Sequence, residues 1–303
     1  MSKAQVIVPA STTNLGPGFD VLGMALNLYN TFEVETSDKL NIEVEGEGSD
    51  TLSRDESNLV YQSAKRLFDS IDEKTPPLSI RIINNIPLAR GLGSSGTAII
   101  GGLMSANAIA GNPLTSQQVL NLAAEMDGHP DNVSASMFGG VTIASFVENS
   151  VAYMKLIPPK PLNVVVIVPD FHIMTSEARK LLPKSVDLPT AVFNIGRASL
   201  LVAALATGDY SLFSISMDDK LHQPHRAELI PGIYDVFDAA KSVCDNVAVA
   251  ISGAGSSIAA FCCDGNCQAI GESMKEAFLK HKVNSYALIL DIDKEGARYG
   301  IED

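Results

Sequence analysis

Hydrophobic positions along the chain change period several times, and each change marks an element. KAQVIVPA (3–10) and LSIRIINNI (78–86) carry the short β-branched runs of strands. TFEVET (31–36) and LNIEVEGE (40–47) alternate apolar and acidic positions, which predicts a hairpin with its acids outward. The segment 56–71 instead places Leu59, Val60, Ala64, Leu67, Phe68 and Ile71 at helical spacing. A short helix is predicted at 19–26, a long apolar one from residue 97 and another near 115–126, before a strand at 139–146. Prolines in IPPKP (157–161) break the pattern, which divides the chain into expected lobes at 1–160 and 161–303. NVVVIVPD (163–170) opens the second, with helices near 188–206, 232–242 and 266–280 and strands at 247–252, 256–262 and 285–292. This mixed order predicts an α+β fold, not a regularly alternating barrel.

Composition sharpens the picture in three places. Of 303 residues, 46% are hydrophobic and 19% charged, the balance of a globular chain. The net charge of −13 argues against a nucleic-acid or anionic-membrane surface, so any phosphate ligand must be held locally. No uninterrupted apolar run approaches the ~18 residues of a membrane span. The N-terminal residues lack a signal-peptide core, so a cytoplasmic location is expected. The four cysteines form no CxxC pair, which disfavours zinc or a redox dithiol.

The chemistry concentrates in RGLGSSGT (90–97), where glycines and small hydroxyls lie between a strand and a helix start. Backbone N–H groups and the helix dipole would converge there on an anion. It is not the nucleotide loop GxxxxGK[ST], because Thr97 follows Gly96 and no lysine occurs in the helix. GLGSSG (91–96) formally matches a dinucleotide fingerprint, but it lies some ninety residues into the chain, without the acid about 20 residues on that the fingerprint needs. No HRD-like or DFG-like segment follows, which removes a protein-kinase loop. The third reading is a backbone cradle for triphosphate, with hydroxyls from Ser94 and Ser95, Arg90 as a cation at the entrance, and a carboxylate downstream for magnesium. Glu125, Asp127 and Asp131 supply such carboxylates. The plainer alternative makes this a helix start capped by Ser95.

Other segments break the tie. PASTTNLGPGFDVLGMALNLYN (9–30) closely resembles the opening motif of homoserine kinases, which belong to the galacto-, homoserine, mevalonate and phosphomevalonate (GHMP) kinases. PLARGLGSSGTA (87–98) looks like that family's phosphate loop, and ISGAGSS (251–257) resembles its third motif, with Gly253 and Gly255 in the turn. GHPDNVSASMFGG (128–140), TSEARKLLP (175–183) and HRAELIPG (225–232) follow in family order. The resemblance implies a two-lobed fold, with a left-handed βαβ unit in the N-terminal lobe, a ferredoxin-like C-terminal lobe and an active site in the cleft. The implied reaction is ATP- and Mg2+-dependent phosphorylation of L-homoserine in threonine biosynthesis. Two alternatives stand beside it: a kinase of another small alcohol, or a nucleotide-binding regulator of weakened turnover.

The same resemblance assigns residues. Arg179 and Arg226 match the substrate-carboxylate positions, and Thr175 precedes Arg179 by one helical turn. Guanidinium groups suit a carboxylate bidentately, although an isolated arginine is ordinarily half of a surface ion pair. Asn14 and Asp20 match positions that contact homoserine; Asp20 alone would read as a helix cap. Asn58 matches an adenine-pocket position, and Pro87, Leu88, Ala89, Arg90, Gly91, Leu92, Gly93, Ser94, Ser95, Gly96 and Thr97 form the expected ATP loop. Asp127 stands where the family usually has a magnesium-ligating glutamate, with Glu125 as the alternative and Ser95 as the second metal contact. Asn132 takes the position of the catalytic aspartate in related kinases. It cannot accept a proton, so it is read as orienting the hydroxyl, with Asp131 as a secondary base. His129 is expected to shape its turn, and His222 and His225 to serve a loop. A homodimer is left open.

Overall fold

The computed structural model describes residues 2–244, 246–263 and 265–300; the last three residues of the expected second lobe lie outside that set. The chain opens with β1 (Lys3–Thr13), β2 (Leu22–Thr36) and β3 (Asn41–Gly46). Helix α1 (Leu59–Ser70) crosses to β4 (Leu78–Asn84), and α2 (Ser94–Ile109), α3 (Ser116–Asp127) and α4 (Asp131–Phe138) follow. The pair β5 (Val141–Val147) and β6 (Ser150–Leu156) completes this part of the chain. A seven-stranded sheet results, in the order β11-β1-β2-β4-β3 with β5 and β6 branching from β2; β11 (Arg298–Tyr299) returns from the C-terminus.

A second, four-stranded sheet starts at β7 (Asn163–Pro169). Helices α5 (Thr175–Lys180), α6 (Leu188–Thr207), α7 (Phe213–Ser216), α8 (Gln223–Arg226) and α9 (Ile233–Lys241) come next. The pair β8 (Ala248–Ile251) and β9 (Ile258–Cys262), then α10 (Cys267–Lys280) and β10 (Ser285–Asp291) close it. All its pairings are antiparallel in the order β10-β7-β9-β8, the topology of a ferredoxin-like sheet. Helix α6 is the one helix among the described residues long and apolar enough by length and composition to cross a membrane. Its Leu201, Ala204 and Leu205 pack into the core, and Arg197 sits mid-helix.

Two expected elements change. Residues 31–36 and 41–46 do not form a hairpin: β4 inserts between them, antiparallel to β2 and parallel to β3. On the solvent side Arg81 of β4 bridges both neighbours, binding Glu45 of β3 at 2.7 Å and Glu33 of β2 at 3.4 Å. Nor is 19–26 a helix. From Leu22 to Leu26 every side chain is buried, leaving no polar face for helical amphipathicity, and the segment pairs with β1 and β5.

Three hydrophobic clusters organise the interior. One lies under the first sheet around Phe32, Leu67 and Leu103, and one is confined to the second lobe around Ile167, Val236 and Phe278. The middle cluster joins Leu15, Leu22 and Leu92 to Val164, Phe213 and Phe261. The lobes therefore share a packed core beside the cleft, which fixes the site's two walls relative to each other.

Candidate active site between the lobes

The glycine loop turns into α2 at Gly93, a cap residue with φ 72° and no side-chain capping bond. Ser95 therefore lies in the first turn, not at the cap. The first intrahelical donor is Thr97 N–H, bonded to Gly93 O, so the amides of Ser94, Ser95 and Gly96 have no helical acceptor. Only glycine fits at 91: a Cβ there would lie 1.9 Å from Ser252 O, and φ is 73°. Ser252 Oγ donates to Gly91 O, Ser11 N–H to Leu92 O, and Gly253 N–H to Thr13 O. These bonds join three segments that are far apart in sequence into one floor. The Asn14 amide completes it, donating to Gly253 O at 2.8 Å and accepting from Asp20 N–H at 2.9 Å.

Over this floor lies a cavity of about 290 Å³. Asn14, Asp20, Asp127, Asp131, Asn132, Thr175, Arg179, Arg226 and Gly253 line it together with Pro87 and residues 89–96. The structure thus gathers most of the expected residues, including members of both lobes. Leu88 faces a neighbouring cavity of about 940 Å³, which Pro87, Ala89 and Arg90 also line.

Several assignments do not survive in their expected form. Arg90 is no free cation at the entrance: its guanidinium donates to the carbonyls of Leu88, Pro169 and Asp170, clasping the loop to the end of β7. Burial lowers its pKa. Asn58 lies outside both cavity linings. Its Oδ1 caps α1 by accepting from Val60 N–H, and its Nδ2 donates to Ser53 O. Thr97 is fully buried, its hydroxyl donating to Ser94 O and accepting from Asn30. Gly255 takes its place in the third-motif turn beside Gly253, with φ 89°, but lines neither cavity. Glu125 points away to an exposed ion pair with Arg66. The apolar stripe of α3 explains this: Ala123 and Ala124 are buried, and Asp127 continues their face at i+4 and i+3 whereas Glu125 does not.

The carboxylates differ in environment. Burial raises the pKa of Asp127 to about 6, despite the neighbouring charge of His129. His129 Nδ1 donates to Asp131 Oδ1 at 2.9 Å and stands 3.2 Å from Asp127 Oδ2 without a hydrogen-bonding alignment. Burial lowers the pKa of His129, but the bond to Asp131 and the two negative charges outweigh it, for a net rise. Asp131 Oδ1 also accepts from Asn132 N–H, so the expected secondary base is engaged in holding the turn. Asn132 is itself oriented, its Oδ1 accepting from Ser11 Oγ at 3.0 Å. Asp127 Oδ2 is buried without a hydrogen-bond partner among the described residues, and α2's exposed Ser95 shares the cavity. An oxygen-ligated, largely hydrated Mg2+ fits an orphaned carboxylate oxygen of this kind.

The cations divide as sharply. Arg179 grips Asp20 through two bonds of 2.8 and 3.0 Å. Arg226 is 2% exposed and makes no ion pair among the described residues, although Asp20, Asp131 and Asp219 act on it electrostatically; its Nη1 donates to Gly253 O, and its Nε has no partner among the described residues. Both guanidiniums lie over the Phe19 ring, at 5.5 and 5.2 Å from its centroid. Sequence reasoning missed Ser11 and Phe19, and it gave His129 a turn role and His222 only a loop role. For Phe19 and Ser11 only their place inside the first motif was a signal; for His222 it was the i, i+4 spacing to Arg226 in LHQPHR.

A cleft with a glycine-loop helix start, a buried unpaired guanidinium and an orphaned carboxylate suits a phosphoryl transfer to a small acidic substrate. Residues 58–140 match the GHMP kinases N terminal domain and residues 201–280 the GHMP kinases C terminal domain. The chain is 42% identical to the homoserine kinase of Carboxydothermus hydrogenoformans over 293 residues, covering 96% of this chain and 95% of the relative. This chain belongs to the homoserine kinase family of the GHMP kinases. Its homoserine kinase relative from Moorella thermoacetica is 44% identical over 92% of this chain and 93% of its own. The crystal structure of the family's member from Cytophaga hutchinsonii superposes with a TM-score of 0.88 at 30% identity, covering 99% and 98% of the two chains. Mevalonate kinase from L. major, at 13% identity and a TM-score of 0.72, shares the fold.

Proposed function

We propose that the protein transfers the γ-phosphoryl group of ATP to the side-chain hydroxyl of L-homoserine, giving O-phospho-L-homoserine, as a soluble cytoplasmic enzyme. The observation that carries this reading is Arg226: a guanidinium buried in the cleft, acted on by Asp20, Asp131 and Asp219 but in ion-pair contact with no acid among the described residues, calls for an anionic group from the substrate. Arg226 and Arg179 receive the carboxylate, and Asp20 receives the ammonium, with Asn14 and Thr175 at the edge of the same subsite. An alcohol without a carboxylate leaves Arg226 unmatched.

The triphosphate is held by backbone N–H groups of residues 91–96 and the α2 dipole, which need no lysine. Asp127 and Ser95 would hold Mg2+, which when bound neutralises charge on the transferred group. The hydroxyl is aligned by Asn132, whose side chain Ser11 fixes. With no free base at that position, the proton passes to the transferring phosphoryl group. A loose transition state tolerates this, because positioning and electrostatics supply most of the acceleration.

The test is ADP release coupled to each of homoserine, mevalonate and shikimate. Turnover confined to homoserine is expected. Equal turnover with mevalonate, or none with any acceptor, defeats the reading.

A further inference from the structure

Arg226 reaches the cleft from α8, and the residue one turn before it is His222. That imidazole is completely buried, each nitrogen meets a different hydrogen-bonding group, and Nε2 also stands 3.6 Å from Asp219 Oδ2, outside hydrogen-bond distance. Nε2 is 2.7 Å from Gly16 O, and Nδ1 is 3.3 Å from Arg226 Nη1. A carbonyl oxygen only accepts and a guanidinium only donates. Both contacts are satisfied by one tautomer of the neutral ring, with its proton on Nε2 and its lone pair on Nδ1. The ring face stacks on Phe19, the residue over which Arg226 also lies. Asp219 stiffens the base of the loop, accepting the backbone N–H groups of Leu221, His222 and Gln223 and the amide of Asn194.

We propose that His222 is a positioning residue for the phosphorylation reaction: its Nδ1 lone pair fixes the Arg226 guanidinium against the Phe19 ring, ready for the substrate carboxylate. The inference rests on the assignment of that carboxylate to Arg226. Without the Nδ1 acceptor, Gly253 O is the one hydrogen-bond acceptor left to Arg226 among the described residues, and a single hydrogen bond no longer fixes the in-plane rotation of the guanidinium over Phe19. Carboxylate recognition depends on that plane. The i, i+4 spacing in LHQPHR thus encodes one working unit, and the Gly16 contact ties it to the NLGPGFD segment (14–20) that carries Phe19 and Asp20.

Two substitutions separate the contacts. In His222→Asn the side-chain oxygen stands near the place of Nδ1 and still accepts from Arg226. In His222→Gln the amide nitrogen stands near the place of Nε2 and still donates to Gly16. Positioning predicts that the KM for homoserine rises roughly tenfold in His222→Gln and no more than about threefold in His222→Asn, in line with one hydrogen bond to a charged group. The KM for ATP should stay within about twofold in both. In an Arg226→Gln background, adding His222→Gln should raise the KM for homoserine no further.

A His222→Asn effect as large as that of His222→Gln, parallel rises in both Michaelis constants, or additivity in the double variant overturns the proposal. If Arg226→Gln itself leaves the KM for homoserine unchanged, the carboxylate assignment fails, and this proposal with it. A measurement on the wild type does not depend on any variant folding. The 15N spectrum of the buried histidine should show the Nε2–H tautomer at neutral pH, and an Nδ1–H tautomer or an imidazolium overturns the inference.

Discussion

Arg179 and Asp20 close on each other across the cleft, Nη2 to Oδ1 at 2.8 Å and Nη1 to Oδ2 at 3.0 Å, although 159 positions separate them in the chain. Under the proposed function these are the groups that meet the opposite ends of the amino acid, so the pair must open when homoserine enters. Both side chains are about one-third exposed, at 36% and 31%. Opening such a pair costs about 1 kcal/mol or less, which a zwitterion offering both charges offsets. Arg226, sunk beneath them, has no such alternative partner.

The two arginines should therefore differ. Arg179→Gln is expected to shift the melting temperature little and raise the KM for homoserine severalfold. Arg226→Gln should raise it by one to two orders of magnitude, roughly 2–3 kcal/mol, with ATP binding nearly unchanged. Parallel titrations with homoserine and with Mg-ATP check both.

Asp127 links activity to stability. Its pKa is raised from 3.8 to about 6 by burial, so between these values the folded state holds a proton that the unfolded state has lost. Stability contributed by the protonated carboxyl is complete below pH 3.8 and lost as pH rises through 6. Asp127→Asn should stabilise the metal-free protein at pH 7 by on the order of 2–3 kcal/mol, while lowering turnover by orders of magnitude. Glu125→Gln, which touches only an exposed ion pair, should do neither. Urea titration without metal, alongside steady-state rates, distinguishes the two acids.

His222 has the opposite pH signature. Burial lowers its pKa from 6.5 to about 4, although Asp219 opposes the shift. The unfolded state therefore takes up a proton first, and stability falls as pH drops from 6.5 to 4. His222→Asn should flatten that part of the stability profile even where it lowers stability at pH 7. An unchanged acid limb would assign the titration to another group.

Gly93 should resist even alanine. A Cβ there would lie 2.1 Å from Ser11 Oγ and 3.1 Å from Asn132 Oδ1, at φ 72°. Gly93→Ala is expected to cost about 1–2 kcal/mol of stability from the left-handed backbone alone and to displace the Ser11–Asn132 pair. Calorimetry should show Mg-ATP binding sharply weakened, with any residual turnover further reduced. Ser95→Ala leaves the backbone cradle intact and should lower turnover more than ATP affinity. NAD binding to the wild type would contradict both expectations.

The α+β fold class was legible in the chain's pattern, and so was the glycine turn before α2. Apolar periodicity marks helices such as α1 and α3 because burial of one face repeats every few residues, and a lysine-free glycine turn before a helix limits the phosphate chemistry locally. The pattern left Asp127 and Glu125 as alternatives for the metal; in the structure Asp127 continues the buried stripe of α3 into the cleft, and Glu125 pairs with Arg66 outside it. The pattern could not show that β4 enters between β2 and β3, nor that 22–26 is a strand pressed between two others, because both depend on distant partners. Which charges already have partners emerges once the chain is folded. Arg90 is used up on carbonyls 79 and 80 positions away, Arg179 on Asp20, and His222 on Gly16, while Arg226 reaches the cleft without an ion pair among the described residues. Charges and hydrogen-bond donors are matched through space, and a one-dimensional pattern holds no record of contacts closed over 79 to 206 positions.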